Sequence, residues 1–209
     1  AMSEKQLLTA GATQLGLPLD EALCEQFQRY LQLLTLWGKK MNLTAVQEPR
    51  QVVVRHFLDS LALVRRLPSA TELPTASLVD IGSGAGLPGA ICALLRPDLQ
   101  VTLVERIGKK AAFLMTLRRE LGLRYEVVAD DASKLSQQFG IAVSRAALPL
   151  PEWLQLGRQL VLPGGMVLAM TSLAEVIPPP PLDCQLVLDE NYDVGAGPYR
   201  LLGYRAQAH

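Results

Sequence analysis

Between residues 78 and 105 two short apolar runs flank three glycines set at alternate positions. Leu78-Val79-Asp80-Ile81 leads into Gly82-Ser83-Gly84-Ala85-Gly86, and Val101-Thr102-Leu103-Val104 closes on Glu105. Glycine adopts left-handed backbone readily and has no Cβ to hold a ligand away, so this spacing predicts a sharp turn that a bound molecule can approach. The acid ending the second run stands nineteen positions beyond Gly86. A carboxylate there suits a pair of vicinal ribose hydroxyls, because it can accept one hydrogen bond from each. Together these features predict a site for a nucleoside-containing cofactor; a tight strand-to-helix turn with no ligand is the plain alternative.

The turn can be read in two registers. Gly84, Gly86 and Gly89 fit the dinucleotide pattern G-x-G-x-x-G, but that register begins three residues after Ile81, whereas a dinucleotide turn begins at the strand end. Asp80-x-Gly82-x-Gly84-x-Gly86 is the better register, with the acid inside the strand end. This pattern resembles the first motif of class I methyltransferases that use S-adenosylmethionine. The resemblance implies that the turn lies under the methionine part of the cofactor, with its α-ammonium and sulfonium. No pyrophosphate is then present, and an acid near the turn helps rather than repels.

At 209 residues the chain is long enough for one large α/β domain with a small extension. Hydrophobic residues make up 49% and charged residues 19%, which predicts a packed core rather than a disordered chain. No apolar run approaches the roughly 20 residues that span a bilayer. Cys24, Cys92 and Cys184 are far apart, and with only His56 and His209 no metal-ligand spacing exists, so none is expected to hold a metal. Buried free thiols and the lack of a leader pattern predict a cytoplasmic protein, and nothing in the chain suggests an obligate oligomer. Twenty basic and twenty acidic side chains cancel. That balance excludes a nonspecific nucleic-acid binder but leaves room for an RNA enzyme with clustered cations.

Three helical segments precede the glycine turn. Ser3 and Gln6 have capping-box spacing for a helix over 3–16. Asp20 can cap a second over 20–39, where Leu23, Phe27, Tyr30, Leu31, Leu34 and Trp37 recur at helical spacing. Pro49 is placed to open a third running to about residue 67, with Val53, Phe57, Leu58, Leu61 and Val64 on one face. The helical extension is thus assigned to 1–67, a Pro/Ser/Thr-rich linker to 68–77 and the cofactor domain to 78–209. Within the last, strands are expected at 78–81, 101–104, 125–129, 141–144 and 166–170. Helices are expected near 87–95, 108–121, 131–137 and 149–161, the alternation of a parallel sheet covered on both faces. Two further strands, 185–188 and 199–204, are joined by a glycine-rich loop and predict a closing hairpin with one antiparallel strand. Pro178 to Pro181 should form a stiff extended spacer.

Asn42-Leu43-Thr44, His56-Phe57-Leu58-Asp59-Ser60-Leu61 and the run Asp80 to Gly89 resemble, in order, the glucose-inhibited division protein B family. Arg96-Pro97, Gly108-Lys109-Lys110 and Ser144-Arg145-Ala146 extend the match to nearly the whole chain. That family is the small-subunit ribosomal RNA methyltransferase G. The resemblance implies a class I methyltransferase fold, Rossmann-like with a mostly parallel seven-stranded sheet and an N-terminal helical extension. It also implies transfer of a methyl group from S-adenosylmethionine to N7 of a guanosine in the small-subunit RNA, so that this RNA or its subunit is the partner. Cofactor contacts are expected from the amides of Gly82, Gly84, Gly86 and Leu87, from Asp80 on the ammonium, directly or through water, and from Glu105 on the ribose. Ala129 and Asp130 are expected at the adenine, and Arg145, at a strand end, should face the site. No general base is expected, since N7 offers a lone pair and carries no proton; holding it in line with the methyl suffices. Lys39, Lys40, Arg55, Arg106, Lys109, Lys110 and Arg145 are the candidates for phosphate contacts. His56 is expected to pack the extension against the cofactor domain.

The chain departs from the family at three cationic positions. Val128 stands where a basic residue usually precedes the adenine-contacting acid, and Ala169-Met170-Thr171-Ser172 lacks a lysine. Arg200, in Tyr199-Arg200-Leu201, is displaced by one and is the remaining RNA candidate. A small-molecule methyltransferase and a non-catalytic cofactor- or RNA-binding module of the same fold are the competing readings, with a nicotinamide-dependent oxidoreductase further off.

Overall fold

The Ser3 hydroxyl accepts from the Gln6 amide and the Gln6 side chain accepts from the Ser3 amide, closing the expected capping box on α1 (Glu4–Gln14). The Asp20 carboxylate accepts from the Leu23 amide and starts α2 (Glu21–Met41), which ends at Asn42 in the left-handed conformation. In the computed structural model, which describes residues 1–46 and 48–208, the third segment is not one regular helix. It is α-helical at α3 (Pro49–Val52) and α4 (Asp59–Val64), with a π-helical stretch, Val53–Leu58, between them. The expected helix is therefore shorter at its end and widened in its middle.

Seven strands follow: β1 (Ser77–Ile81), β2 (Gln100–Val104), β3 (Tyr125–Val128), β4 (Phe139–Arg145), β5 (Val161–Ser172), β6 (Cys184–Asp193) and β7 (Pro198–Ala206). Their order across the sheet is β3-β2-β1-β4-β5-β7-β6. The first five run parallel, and β7 lies antiparallel between β5 and β6, so the mostly parallel seven-stranded sheet with a closing hairpin is observed. The helices α5 (Gly89–Leu95), α6 (Gly108–Leu121) and α7 (Leu150–Leu160) fill the connections. Two expectations need correcting. The helix anticipated over 131–137 is a single 3-10 turn, Ala132–Lys134, because the Asp131 carboxylate caps the Ser133 amide and Leu135 returns to extended backbone. Strand β5 begins at Val161, earlier than the apolar run alone suggests, and passes through Pro163, Gly164 and Gly165 with a register shift against β4.

The sheet has two apolar faces. One packs on α7, where Trp153, Leu154 and Leu160 meet Val79, Val104, Ala142 and Val167. The other is continuous with the N-terminal helices: Leu8, Phe27, Phe57 and Leu61 share one core with Leu78, Ile91, Phe113 and Leu168. Phe27, Tyr30 and Phe57 stack with ring centroids 5.1 Å apart, so α1 to α4 form a layer of the same body. Helix α2 runs antiparallel along α6, with Gln26 bonded to the Leu121 carbonyl at one end and Trp37 edge-on to Phe113 at the other. Among the described residues, no helix is long and apolar enough to cross a membrane.

On the α7 side the Trp153 indole N–H donates to the Leu168 carbonyl at 2.9 Å, and Gly157 lets the helix close on Val167, whose Cγ1 would lie 2.5 Å from an added Cβ. Trp153→Ala is expected to lower the urea-unfolding free energy by about 3–5 kcal/mol, the usual effect of emptying an aromatic site. A loss below about 1 kcal/mol, typical of surface substitutions, would mean that α7 does not rest on this ring.

Candidate functional site at the carboxyl ends of the strands

The turn after β1 is shaped by hydrogen bonds as much as by glycine. Gly82, Gly84 and Gly86 have φ of +74°, +55° and +92°, so each occupies backbone that favours glycine. The Val104 carbonyl at the end of β2 accepts from both the Gly82 and Ser83 amides, at 2.9 and 3.2 Å, which ties the turn to the neighbouring strand. The Ser83 carbonyl in turn accepts from the Gly86 and Leu87 amides at 2.8 and 3.1 Å. The amides of Gly82, Gly86 and Leu87 are thus engaged within the protein, so these three cannot encircle a ligand as the sequence suggests. Among the described residues, the Gly84 and Ala85 amides have no internal acceptor. An added Cβ on Gly84 would meet nothing within 4 Å, whereas on Gly82 it would strike Ala147 at 2.6 Å and on Gly86 the Tyr30 hydroxyl at 2.6 Å. The Tyr30 hydroxyl also donates to the Ala85 carbonyl at 2.5 Å, so α2 supports the turn directly.

Two acids flank this turn. Asp80 is fully buried; its Oδ2 accepts from the Gly89 amide at 2.9 Å at the start of α5, and its Oδ1 has no partner among the described residues. Burial pushes its carboxyl up to about 7, opposed by the Gly89 amide and by the positive charge of Arg145. Glu105 is 6% exposed, yet among the described residues its carboxylate forms no hydrogen bond or ion pair. Although the residue as a whole is buried, it lines the cleft, and its carboxylate oxygens remain open to accept from a ligand there.

Glu105 lines a cleft of about 400 Å³ together with Gly82, Arg106, Asp130 and, on the opposite wall, Ala147 and Leu148. Asp131 also borders the cleft, while Ala129 lies beside it and is exposed. The Asp130 carboxylate accepts from the Asp131 amide at 2.7 Å, which shapes the bend after β3. A second cleft of about 330 Å³ shares Ala147 and Leu148 with the first and extends over the ends of β4 and β5 to Thr171 and Glu175. The structure therefore gathers Gly82, Glu105 and Asp130 at one cleft and sets Asp80, Gly86 and Leu87 in the buried support of the turn.

Arg145 ends β4 and is half-buried, its guanidinium reaching Arg55 and His56 in the π-helical stretch and Asp59 at the start of α4. The cationic candidates divide. Among the described residues, Lys39, Lys40, Arg106, Lys109 and Lys110 form no ion pair, and all but the half-buried Lys110 are exposed. Arg200 is instead bound bidentately to Asp189 at 2.8 Å on the β6–β7 hairpin. Sequence reasoning missed Tyr30, Ala147 and Leu148. A tyrosine on a helical apolar face reads as core, and an alanine two residues past a strand end carries no chemical signal.

The sequence has counterparts of known class. Residues 23–176 match the model of the GidB family, rRNA small subunit methyltransferase G. A Ribosomal RNA small subunit methyltransferase G of Chromobacterium violaceum is 42% identical over 169 residues, 79% of this chain and 78% of that protein. Those of Leptothrix cholodnii and Methylobacillus flagellatus are 39% and 40% identical, over 80% and 79% of this chain and 78% and 80% of their own. Among solved structures, the magnesium protoporphyrin IX methyltransferase of Synechocystis with bound S-adenosylmethionine superposes with a TM-score of 0.61 at 12% identity, over 99% of both chains. The putative methyltransferase yhhF of Escherichia coli gives 0.53 at 18% identity, over 64% of this chain and 78% of that one. At such identities the structures speak for the fold, that of class I methyltransferases. The matched span and the extended identity place this chain in the GidB family, the small-subunit ribosomal RNA methyltransferases G.

Proposed function

We propose that this protein transfers a methyl group from S-adenosylmethionine to N7 of a guanosine in small-subunit ribosomal RNA. The observation that carries the cofactor reading is the pair of acids around the glycine turn: Asp80, buried with Oδ1 unpartnered, and Glu105, which lines the cleft with no partner for its carboxylate among the described residues. An ammonium and a ribose diol are the groups that such acceptors match. The fit extends to Gly84, whose missing Cβ leaves open space, and to Asp130 on the cleft wall, where an adenine amine can donate. In this reading Asp80, Gly82, Gly84, Gly86, Leu87, Glu105, Ala129, Asp130 and Arg145 form the cofactor site, some by contact and some by shaping the turn.

When bound, S-adenosylmethionine supplies an electrophilic methyl group, which the in-plane lone pair of N7 accepts as the carbon–sulfur bond breaks. The chain's own residues need only orient the two reactants and exclude water, because N7 loses no proton. The adjoining cleft over β4 and β5 offers room beside the cofactor for a base. For the RNA backbone, the antiparallel packing of α2 on α6 supports a phosphate-binding ridge. It brings the Lys39–Lys40 end of one helix to the Lys109–Lys110 start of the other, next to Arg106 at the cleft. Arg200 is given the weaker part, since contact with RNA would require it to leave Asp189. The sequence division at 67 and 77 then separates a supporting helical layer from the cofactor domain. The chain acts as a monomer in the cytoplasm on the RNA or its subunit.

The reading is tested by primer extension after N7-specific cleavage of small-subunit RNA incubated with the protein and the cofactor. A new cleavage at one guanosine is expected, Glu105→Ala should abolish it while leaving the thermal midpoint unchanged, and no new cleavage would reject the RNA assignment. The charge of Asp80 gives a second check. Because folding raises this carboxyl to about 7, the cofactor-free protein favours the protonated form and loses stability as pH rises from about 4 through about 7. An ammonium favours the ionised form, so cofactor affinity should rise between about pH 6 and 7.5, below the range in which an α-amino group loses its proton. Calorimetry should find that slope in the wild type and a flat profile in Asp80→Asn. Finally, Lys109→Glu with Lys110→Glu should weaken RNA binding and lower its salt slope by about 2, leaving cofactor affinity intact. An unchanged salt slope in a filter-binding assay would remove these lysines from the interface.

A further inference from the structure

The guanidinium of Arg145 is the centre of a polar cluster that joins β4 to the helical layer and to β6. Its Nη1 donates to the Arg55 carbonyl at 3.1 Å and to Asp59 Oδ2 at 3.3 Å, and its Nη2 lies 3.1 Å from His56 Nδ1. The other Asp59 oxygen accepts from the Tyr192 hydroxyl at 2.6 Å, which comes from β6, 133 residues away. His56 Nε2 lies 2.8 Å from Thr44 Oγ1, and that oxygen accepts from the Val46 amide. His56, Asp59 and Tyr192 are all buried, and neither they nor Arg145 lines the cleft beside the glycine turn.

Arg145 can only donate. His56 Nδ1 lies between that guanidinium and the Arg55 carbonyl, 3.2 Å away; accepting from Arg145 leaves the imidazole neutral with its proton on Nε2, directed at Thr44, whereas donating to the carbonyl places the proton on Nδ1. Burial and the adjacent guanidinium hold its pKa down to about 4, consistent with a neutral ring. With Nδ1 accepting, three of the five guanidinium protons are used. Nε–H and one Nη2–H remain without an acceptor among the described residues, adjacent donors of the kind that take a carboxylate or phosphate in bidentate fashion. Buried charged groups are commonly no better for stability than apolar ones of the same shape. A π-helical stretch is rare and recurs at functional sites, and here it supplies the Arg55 carbonyl and His56, with Asp59 following as the first residue of α4.

We propose that Asp59, His56, Thr44 and Tyr192 are positioning residues that hold the Arg145 guanidinium at the end of β4, beside the glycine turn, so that the helical layer and the C-terminal hairpin jointly set cofactor affinity. The proposal rests on the reading of Arg145 as a cofactor contact. Its test is calorimetric binding of S-adenosylmethionine to the full chain in a double-mutant cycle, with a thermal melt of each variant. Arg145→Ala should weaken binding by at least about tenfold, the worth of one charge-assisted hydrogen bond. Asp59→Asn should weaken it by about tenfold and Tyr192→Phe by about threefold, with kcat at saturating cofactor near the wild-type value. Neither should weaken it further on the Arg145→Ala background, since a positioning residue has nothing left to position. Tyr192→Phe removes a single hydroxyl and keeps the test usable if Asp59→Asn does not fold. Wild-type affinity in Arg145→Ala would overturn the cofactor role of Arg145 and this proposal with it. Weakened binding in Arg145→Ala alongside wild-type affinity in Asp59→Asn and Tyr192→Phe would overturn the positioning role alone. So would losses that persist undiminished on the Arg145→Ala background.

Discussion

The Val104 carbonyl accepts from two successive amides, Gly82 and Ser83, and through that one oxygen the end of β2 governs the turn that leaves β1. The turn then has to be left-handed at Gly82, Gly84 and Gly86, and its opposite side has to be filled. Tyr30 fills it, with its hydroxyl on the Ala85 carbonyl and the position of a Gly86 Cβ blocked by the same oxygen. Helix α2 is therefore a structural requirement of the glycine turn. The same pairing places Glu105, the residue after Val104, at the mouth of the cleft, so the geometry of turn and acid is set by a single strand end.

The electrostatics follow from this packing. Asp80 and Glu105 are both acidic and close enough for the charge of Glu105 to disfavour ionisation of Asp80. Arg145 offsets part of that charge, yet its own hydrogen bonds go to the helical layer. The site is left with an excess of acceptors over donors, the reverse of a phosphate-binding turn, where backbone amides and a helix dipole would face the ligand. This distinguishes an adenosyl-amino acid from a dinucleotide more firmly than glycine spacing does. The internal use of the Gly82, Gly86 and Leu87 amides points the same way, since a pyrophosphate would need them.

Much of the fold was legible because its determinants are local. The capping box of Ser3 with Gln6, the Asp20 cap, the apolar strand runs and the glycine turn each act within a few residues. What the sequence hid is nonlocal or irregular. An apolar stripe on a helix tolerates one extra residue, so Val53, Phe57 and Leu61 read as continuous although a π-helical stretch interrupts the ladder. The length of β5 was concealed by Pro163, Gly164 and Gly165, residues that suggest a turn but here make a bulge against Gly140. The direction of Arg145 was concealed because its partners stand 86 to 90 residues earlier, and Asp59 meets Tyr192 only after the hairpin has closed.

The balance of charge takes on a different meaning once pairing is considered. Overall the twenty cations and twenty anions cancel, which by itself argues against an RNA surface. Many arginines, however, are committed: Arg65 and Arg66 share Glu190, Arg96 holds Asp98, Arg158 holds Asp183 and Arg200 holds Asp189. Exposed pairs of this kind add little stability, but they do cancel the field of both partners. The positive charge of Lys39, Lys40, Lys109 and Lys110, none of them in an ion pair among the described residues, is concentrated where α2 ends and α6 begins. A neutral chain can thus present a locally basic ridge beside its cleft, and α2, which supports the turn through Tyr30, forms that ridge by its packing on α6.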